Sequence, residues 1–501
     1  MKILIGIGVV ILLLIILIVA LPFLIDLNKY QDRYRPLIEE ALNRKVELKD
    51  IRLTIWPRIG ARIGGFIVQD DSAFRTGSFA SLSSLDVGVK LLPLLGGHVE
   101  VEEITLRDPV ITVLKNAHGQ LNVSTLGAKP QAPAPKPDVP GQPATSPLQA
   151  LALFAVDRVS IDGGKLTYRD ESTSKPTEHT VNDLEFLLTS VHLGESPRVH
   201  LGATLQPYNL PMRLDGSFGP LMETLDLKSF SFNLELGKIA VSLKGRAMGG
   251  NLDATVAALQ IDTADLPVKL PLTKPVQVKD LHLTLHAQYP ILPDVPAANQ
   301  VDVTDLGLTL VMGGSAINVK GTATKGLANL TAASASLNSS DLPVAVPLTK
   351  PIELKDLHLN ARAKYPLKDG AAPLELAEVP DLGMIVAMGS SRIEVKGSVL
   401  GGLAKVTANS KLVNTADLPL TLPLKKPVEI KDLQASAEMK AQDARLNNLS
   451  LQLFGGFLRT QGTLGLGTGT PPFTGTVSLQ GLQLGPALQA VGTDQISMSG
   501  T

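Results

Sequence analysis

Cysteine is absent from this 501-residue chain, which excludes disulfide bonds, thiolate metal sites and a cysteine nucleophile. Aromatic residues are scarce at 4%, so leucine, valine, isoleucine and alanine must supply most of the apolar surface. Charged residues make up 19% of the chain without long runs, and the formal net charge is −1. Because no basic stripe is available to neutralise phosphates, we expect no nucleic-acid partner.

Charge is also missing from Ile3 to Ile25, an apolar stretch long enough to cross a bilayer as a helix. The alternative is a cleaved signal peptide, but its apolar core would be shorter, and no small-residue cleavage site follows Ala20. We therefore predict a transmembrane anchor over residues 1–25. Positive residues are more numerous after this anchor than before it, and by themselves they favour a cytoplasmic location for the rest of the chain.

Proline and glycine are abundant, with 35 and 44 residues, and they separate many short strand-like patterns. Residues 127–150 form a proline-rich segment with almost no bulky apolar residue, which indicates an extended, solvated linker. Three further segments are predicted: a helix followed by a β-sheet region at 26–126, a second β-rich segment at 151–235, and a repetitive β region at 236–501.

The repetitive region contains one pattern three times. The segment "DLPVKLPLTKPVQVKDLHLTLHAQYP" starts at Asp265, and related segments start at Asp341 and Asp417, 76 residues apart in both cases. A fixed period of this kind predicts a stack of similar structural units. The predicted copies lie near residues 236–311, 312–387 and 388–452, with a partial copy at 453–501.

Apolar and polar residues alternate in each copy, as expected for a strand with one dry and one wet face. Leu283, for example, lies between His282 and Thr284. The dry faces of successive copies are predicted to form one apolar surface. Its predicted lining residues are Val241, Leu243, Leu281, Leu283, Leu285, Ala287, Ile317, Val319, Leu357, Leu359, Ala361, Ile393, Val395, Leu433, Ala435 and Ala437.

These patterns predict a mainly β fold, in which a transmembrane helix precedes an elongated, repetitive antiparallel β-sheet curved into a groove. Two interpretations of the dry face stay open. It is either an ordinary core, closed by folding the sheet over itself, or an open trough for an apolar ligand. The alternation of leucine with small alanine would under-fill a packed core, and the predicted anchor places the chain beside lipid, so both features favour the trough.

Patterns that would indicate catalysis are weak. The Gly-Lys pair in "DGGKLT" (Asp162–Thr167) lacks the flanking residues of a phosphate-binding loop. His282 and His286 are four residues apart, which on a strand corresponds to ~13 Å, too far for one metal ion. We therefore predict no enzymatic activity, no catalytic residue, no metal site and no cofactor.

Several amino-terminal motifs resemble those of the AsmA family of bacterial envelope proteins. They are "DLN" at Asp26–Asn28, "WP" at Trp56 and Pro57, "LLPLLGGHVEVEEITLRDPVI" at Leu91–Ile111, "GQLNVSTL" at Gly119–Leu126 and "IDGGKLTYRD" at Ile161–Asp170. The likeness is strongest over about residues 1–190. Two positions depart from the family pattern: the turn "LNRKVEL" has no glycine, and Val123 stands where an aromatic residue is common.

The resemblance implies a single-pass inner-membrane protein with a cytoplasmic amino terminus and the bulk of the chain in the periplasm. It also implies a role in outer-membrane biogenesis, by moving phospholipid between membranes along a hydrophobic β-groove. The implied partners are phospholipid, the inner membrane, and other envelope proteins or outer-membrane components. The alternative function is a structural or assembly factor for outer-membrane proteins, with a closed β core and no transport.

Overall fold

The computed structural model describes residues 27–492, except 57, 73, 75–76, 128–155, 174, 223–225, 289–299, 365–376, 441–442 and 466–472. This part of the chain forms 25 strands and only a few short helices, which confirms the prediction of a mainly β fold. The chain divides into two compact units, Met1–Gly249 (unit 1) and Gly250–Thr501 (unit 2).

The predicted anchor at residues 1–25 lies outside the described residues, as does nearly all of the predicted linker. Among the helices that the structure does describe, none combines the length and the apolar character needed to cross a bilayer.

Unit 1 opens with a 3₁₀ turn (Leu27–Tyr30) and helix α1 (Gln31–Leu42), in the region where the sequence predicts a helix. A short helix α2 (Leu91–Leu95) and a second 3₁₀ turn (Asn122–Thr125) interrupt the strands. The strands of unit 1 are β1 (Val46–Glu47), β2 (Asp50–Thr54), β3 (Gly60–Gln69), β4 (Ser78–Val89), β5 (Val101–Arg107), β6 (Val110–Lys115), β7 (Arg158–Asp170), β8 (Thr177–Thr189), β9 (Arg198–Gln206), β10 (Leu210–Gly219), β11 (Leu227–Leu236) and β12 (Ile239–Met248).

Helix α1 covers one face of the first strands of unit 1. Its Ile38 and Leu42 pack against a buried cluster that includes Val46, Phe66 and Phe79. The helix ends at Asn43, whose left-handed backbone conformation (φ 51°) is one that asparagine tolerates well. This packing ties the start of the chain to the sheet through apolar burial, the dominant stabilising term in folding.

Residues after α1 also contact the second 3₁₀ turn. The guanidinium of Arg44 donates to the backbone oxygen of Asn122 at 2.9 Å, and the Asn122 side chain accepts from the backbone N–H of Leu114 at 2.9 Å. Asn122 is completely buried, so its polar atoms need these partners. Through Asn122, the "GQLNVSTL" motif therefore joins strand β6 to the residues that follow helix α1.

The prediction of an antiparallel sheet is wrong at one place in unit 1, where the sheet is mixed. Strands β5 and β6 lie end to end beside β4, and both pair in parallel with β7. Two parallel strands require a long crossover, whereas antiparallel neighbours need only a tight turn. The segment between β6 and β7 contains the proline-rich residues 127–150, so that segment is the crossover connection. All other strand pairs of unit 1 are antiparallel among the described residues.

Unit 2 is an antiparallel meander in which each strand pairs with the next along the chain. Its strands are β13 (Asn251–Asp262), β14 (Gln277–Gln288), β15 (Val301–Met312), β16 (Ser315–Thr324), β17 (Leu327–Asn338), β18 (Glu353–Lys364), β19 (Ala377–Met388), β20 (Ser391–Leu400), β21 (Leu403–Asn414), β22 (Glu429–Lys440), β23 (Asp443–Leu453), β24 (Gly456–Gly465) and β25 (Phe473–Gln480). Helix α3 (Leu484–Val491) follows β25.

The 76-residue period corresponds to four strands. Strands β13, β17 and β21 begin at Asn251, Leu327 and Leu403, and β14, β18 and β22 follow at the same spacing. A 3₁₀ turn ends each first strand, at Thr263–Asp265, Ser339–Asp341 and Thr415–Asp417. We call the proline-containing segments after these turns the corners; they are residues 266–276, 342–352 and 418–428, and they lie outside the strands.

The aspartate that ends the 3₁₀ turn before each corner has a structural role in the second and third copies. Asp417 accepts hydrogen bonds from the hydroxyls of Ser390 and Ser391, each at 2.8 Å, and from their backbone N–H groups. Ser391 in turn accepts from the backbone N–H of Asn414 at 2.8 Å. Asp341, Ser315 and Asn338 repeat this arrangement one period earlier.

Each corner also contacts the next corner. The backbone N–H of Thr273 donates to the oxygen of Pro343 at 2.8 Å, and that of Thr349 donates to Pro419 at 3.0 Å. In the third corner, the N–H of Lys425 donates to Ala490 in helix α3 at 2.8 Å. Helix α3 therefore takes the place of a fourth corner.

Candidate functional site

Apolar residues of unit 2 align across strands into rungs, because directly paired residues point to the same face of a sheet. One rung passes through Leu308, Val319, Ala332, Leu359 and Leu382. The equivalent rung one period later passes through Met384, Val395, Ala408, Ala435 and Leu449. Leu283 pairs with Val256 on one side and with Leu306 on the other, at the matching position of the first copy. We call the surface formed by these rungs the apolar face of unit 2.

A bulge in the second strand of each copy keeps this face continuous. Asp280, Asp356 and Asp432 have left-handed backbone conformations with φ of 53°, 50° and 49°, and the strand register shifts at each of them. Leu354 and Leu357 are three residues apart and would lie on opposite faces of a regular strand. Both instead pack against the same buried cluster, because the bulge adds one residue between them.

The apolar face is buried at one edge and partly exposed farther along the strands. Val276, Met312 and Leu337 form a buried cluster beside the corners. Leu330 and Val406, which occupy equivalent positions in successive copies, are 43% and 42% exposed. The described residues therefore do not seal this face into a closed core along its whole width.

A glycine lies on the neighbouring strand beside each of these two exposed side chains. Gly321 pairs with Leu306 and with Leu330, and a Cβ atom added to Gly321 would lie 2.6 Å from the Leu330 side chain. Gly397 occupies the same position in the next copy, between Leu382 and Val406. The absence of a side chain at Gly321 therefore leaves room for the Leu330 side chain to lie over the neighbouring strand.

The predicted lining residues divide between the two units. Val241 and Leu243 belong to β12 of unit 1, where Leu243 pairs with Phe232. The other fourteen lie on strands of unit 2, and all except the buried Ala287 are of intermediate exposure. Ile317 and Leu357 pack against the buried cluster at the corner edge, so they contribute to the core of unit 2.

Sequence reasoning missed Leu330 and Val406, which lie in the rungs next to the two described above, beside Gly321 and Gly397. Both lie on the first strand of a copy, β17 or β21, whereas the prediction used only the second and fourth strands. The signal was present, since Leu330 and Val406 are 76 residues apart and alternate with polar neighbours.

The opposite face of unit 2 is polar. In β18, His358, Asn360 and Arg362 are exposed and alternate with half-buried apolar residues. His286 contacts Asp253 at 2.7 Å between Nδ1 and Oδ1. Among the described residues, no group of three or more histidine or acidic side chains is arranged to hold a metal ion.

Comparison with known protein families gives a match to the amino-terminal part of the chain. The model of the AsmA family matches residues 1–247, which include unit 1 up to β12. The repeats of unit 2 lie beyond the matched residues. No curated protein and no solved structure matches the chain significantly.

Proposed function

This chain belongs to the AsmA family through its amino-terminal half, and on that premise we propose that it is an inner-membrane-anchored periplasmic protein that moves phospholipid. The acyl chains would lie along the apolar face of unit 2, and the protein would support outer-membrane biogenesis by carrying lipid between the two membranes. No cofactor or catalytic residue is required for this function.

One observation carries the proposal: apolar rungs repeat in register over successive four-strand copies while Leu330 and Val406 remain about 40% exposed. A repeated row of aliphatic side chains that is partly open to water favours a ligand or partner that covers it. An acyl chain fits such a surface because it needs continuous aliphatic contact and no hydrogen-bonding groups. The predicted anchor at residues 1–25 would hold the protein beside a membrane, which is a source of lipid.

The second candidate is a structural or assembly factor whose apolar face serves only as a core. The buried cluster of Val276, Met312 and Leu337 favours this alternative at the corner edge. The two functions predict different effects of a charged substitution on the apolar face. On a core, an unpaired charge unfolds the protein; on a lipid-binding surface, it blocks passage.

The test is a lipid-transfer assay between donor and acceptor vesicles with the variants Leu330→Lys and Val406→Lys. Because both side chains are already partly exposed, the lysines can reach water and the protein should stay folded. We expect transfer to fall at least tenfold, with little change in the melting temperature. Charges at the half-buried Leu283, Leu359 or Ala435 should block transfer too, at a greater loss of stability.

The matched controls are Thr331→Lys and Asn360→Lys, which place the same charge on the exposed polar face of β17 or β18. These variants should transfer lipid at the normal rate. Unchanged transfer by both Leu330→Lys and Val406→Lys would contradict the proposal. Unfolding of both variants, combined with absence of lipid from the purified protein, would favour the assembly factor.

A further inference from the structure

A polar cavity of about 330 Å³ lies in unit 1. Strands β3, β4, β5 and β7 supply its floor, and the turn between β2 and β3 supplies its rim. The lining includes Trp56, Arg58, Arg62, Arg107, Arg158 and two carboxylates.

Two carboxylates lie beneath the four arginines. Asp86 accepts from Arg62 at 2.7 Å (Nε) and 2.9 Å (Nη2), and from Arg107 Nε at 3.0 Å. Glu103 forms ion pairs with Arg58 and with Arg158, the latter at 3.4 Å.

The arginines are nearer to solvent than the acids that hold them. The side chains of the four arginines are 43–48% exposed, whereas those of Asp86 and Glu103 are 20% and 18% exposed. The surface that a ligand meets is therefore cationic, and the acids act as its support.

Asp86 stays ionised in this position. Burial raises the pKa of Asp86, but hydrogen bonds from Arg62 and Arg107 act in the opposite direction and leave the pKa below its ordinary value. The guanidinium groups are thus fixed in orientation by permanent charges, which reduces the entropy lost when they bind a ligand.

Donors remain available after these contacts are made. Arg62 Nη1 and Arg107 Nη2 form no hydrogen bond within the described chain. The buried Nε of Arg158 lies 3.4 Å from Glu103, and the two Nη groups of this arginine form no hydrogen bond within the described chain. Two more acids contact the outer arginine atoms: Glu102 lies 3.8 Å from Arg58 Nε, and Asp162 lies 3.5 Å from Arg107 Nη1.

We propose that this cavity is a binding site for a phosphate ester, with Arg107 and Arg158 as its principal ligands. Guanidinium groups match the geometry of phosphate oxygens and donate two hydrogen bonds at once, which distinguishes them from lysine. The phosphate belongs either to a small soluble ester or to a lipid headgroup, since both present the same group. The inference does not depend on lipid movement along unit 2.

Trp56 makes the site directly observable. It is 88% exposed at the rim of the cavity, and it is the only tryptophan in the chain. Its fluorescence therefore reports on this site alone, without contributions from other parts of the protein.

The experiment is a fluorescence titration of the full-length protein with glycerol 3-phosphate and, separately, with dihexanoylphosphatidylglycerol. Arg107→Gln and Arg158→Gln should each weaken binding roughly tenfold or more, because a hydrogen bond to a charged group contributes about 1.5–3 kcal/mol. Each variant leaves one arginine on the carboxylate beneath it, so the fold should be retained; circular dichroism checks this. Arg169→Gln is the control, since Arg169 lies on β7 outside the cavity and pairs with Glu171.

The outcomes are distinct. Saturable binding of glycerol phosphate that is weakened only by the cavity variants supports a site for soluble esters. Saturable binding of the short-chain lipid alone, with the same variant pattern, supports a headgroup site. No response to either ligand overturns the proposal, as does a response that Arg107→Gln and Arg158→Gln leave unchanged. None of these results bears on lipid transfer by Leu330→Lys, so the two proposals fail independently.

Discussion

The hydroxyl of Ser391 donates to the carboxylate of Asp417 at 2.8 Å, across 26 residues of sequence. The same hydroxyl accepts from the backbone N–H of Asn414 at 2.8 Å, and Ser391 is only 1% exposed. One buried oxygen thus joins the start of a strand, the end of the next strand and the 3₁₀ turn that precedes the third corner. Ser315 forms the equivalent contacts with Asp341 and Asn338.

Ser391→Ala should destabilise unit 2 by about 1–3 kcal/mol, because it leaves the Asn414 N–H without its partner in a buried position. Hydrogen exchange followed by mass spectrometry should show faster exchange in β21 and its 3₁₀ turn. Ser390→Ala is the control, since Ser390 is exposed and its backbone contact with Asp417 is kept. Equal protection in the two variants would mean that the buried hydroxyl has no special role.

Acid should weaken the same connection. Hydrogen bonds from the Ser390 and Ser391 side chains lower the pKa of Asp417 below 3.8. A carboxyl group with a lowered folded-state pKa stabilises the fold above its unfolded pKa, and this contribution is lost as the pH falls through the folded value. The melting temperature of the wild type should therefore fall below about pH 4 by more than that of Asp417→Asn. Parallel curves for the two proteins from pH 7 to pH 3 would contradict this assignment.

The bulge at Asp356 provides a test of how the apolar face is built. Asp356→Gly should be neutral or slightly stabilising, because glycine adopts φ of 50° freely. Asp356→Val should cost about 1–2 kcal/mol, because a β-branched residue is strained in this region. Deleting Asp356 should be far worse, since Leu354 would turn to the polar face. Thermal unfolding of the three variants measures the order; a deletion as stable as Asp356→Gly would rule out the bulge as the source of the alignment.

Photocrosslinking gives a prediction that does not depend on a transfer assay. A photoreactive amino acid at position 330 should form adducts with phospholipid, because Leu330 lies exposed on the apolar face. The same group at position 331 should not, because Thr331 is exposed on the opposite face. Mass spectrometry of the purified protein distinguishes the two. Equal labelling at both positions would indicate contact with bulk detergent or lipid and not with a bound acyl chain.

A whole copy should be removable. Deleting residues 327–402 joins Gly326 to Leu403, which occupies the position that Leu327 occupies one period earlier. Val319 would then pair with Ala408 in place of Ala332, and Asp417 would meet Ser315. We expect the shortened protein to fold with a melting temperature close to that of the wild type, whereas deleting only 40 residues should abolish folding of unit 2.

The repeats explain why much of unit 2 could be predicted. Alternation along β14, β18 and β22 follows from the pleat of a strand, and three copies at one spacing separate this signal from chance. The corners were also predictable, since proline cannot donate to a central ladder. The bulges were harder to foresee, because the sequence "KDL" contains no mark of a left-handed aspartate until the pairing partner is known.

Unit 1 was less predictable because its contacts join distant segments. Nothing local in β5 or β6 indicates parallel pairing with β7, which depends on how the chain returns after the proline-rich crossover. The arginine cavity was unpredictable for the same reason: Arg62, Arg107 and Arg158 are far apart in sequence, and they line one cavity only when strands β3, β4, β5 and β7 lie side by side. Single charged residues are common on the solvent-exposed faces of strands. A single sequence therefore does not show which of them come together in the folded protein.

The contact between neighbouring corners also gives unit 2 a direction during synthesis. The N–H of Thr273 donates to Pro343, and that of Lys425 donates to Ala490. Each corner therefore forms a hydrogen bond with a segment that is synthesised later. When the first corner leaves the ribosome, Pro343, the acceptor for its Thr273 N–H, has not yet been synthesised. Helix α3 supplies the last acceptor in this series. Until it is synthesised, the N–H of Lys425 in the third corner lacks its hydrogen bond to Ala490.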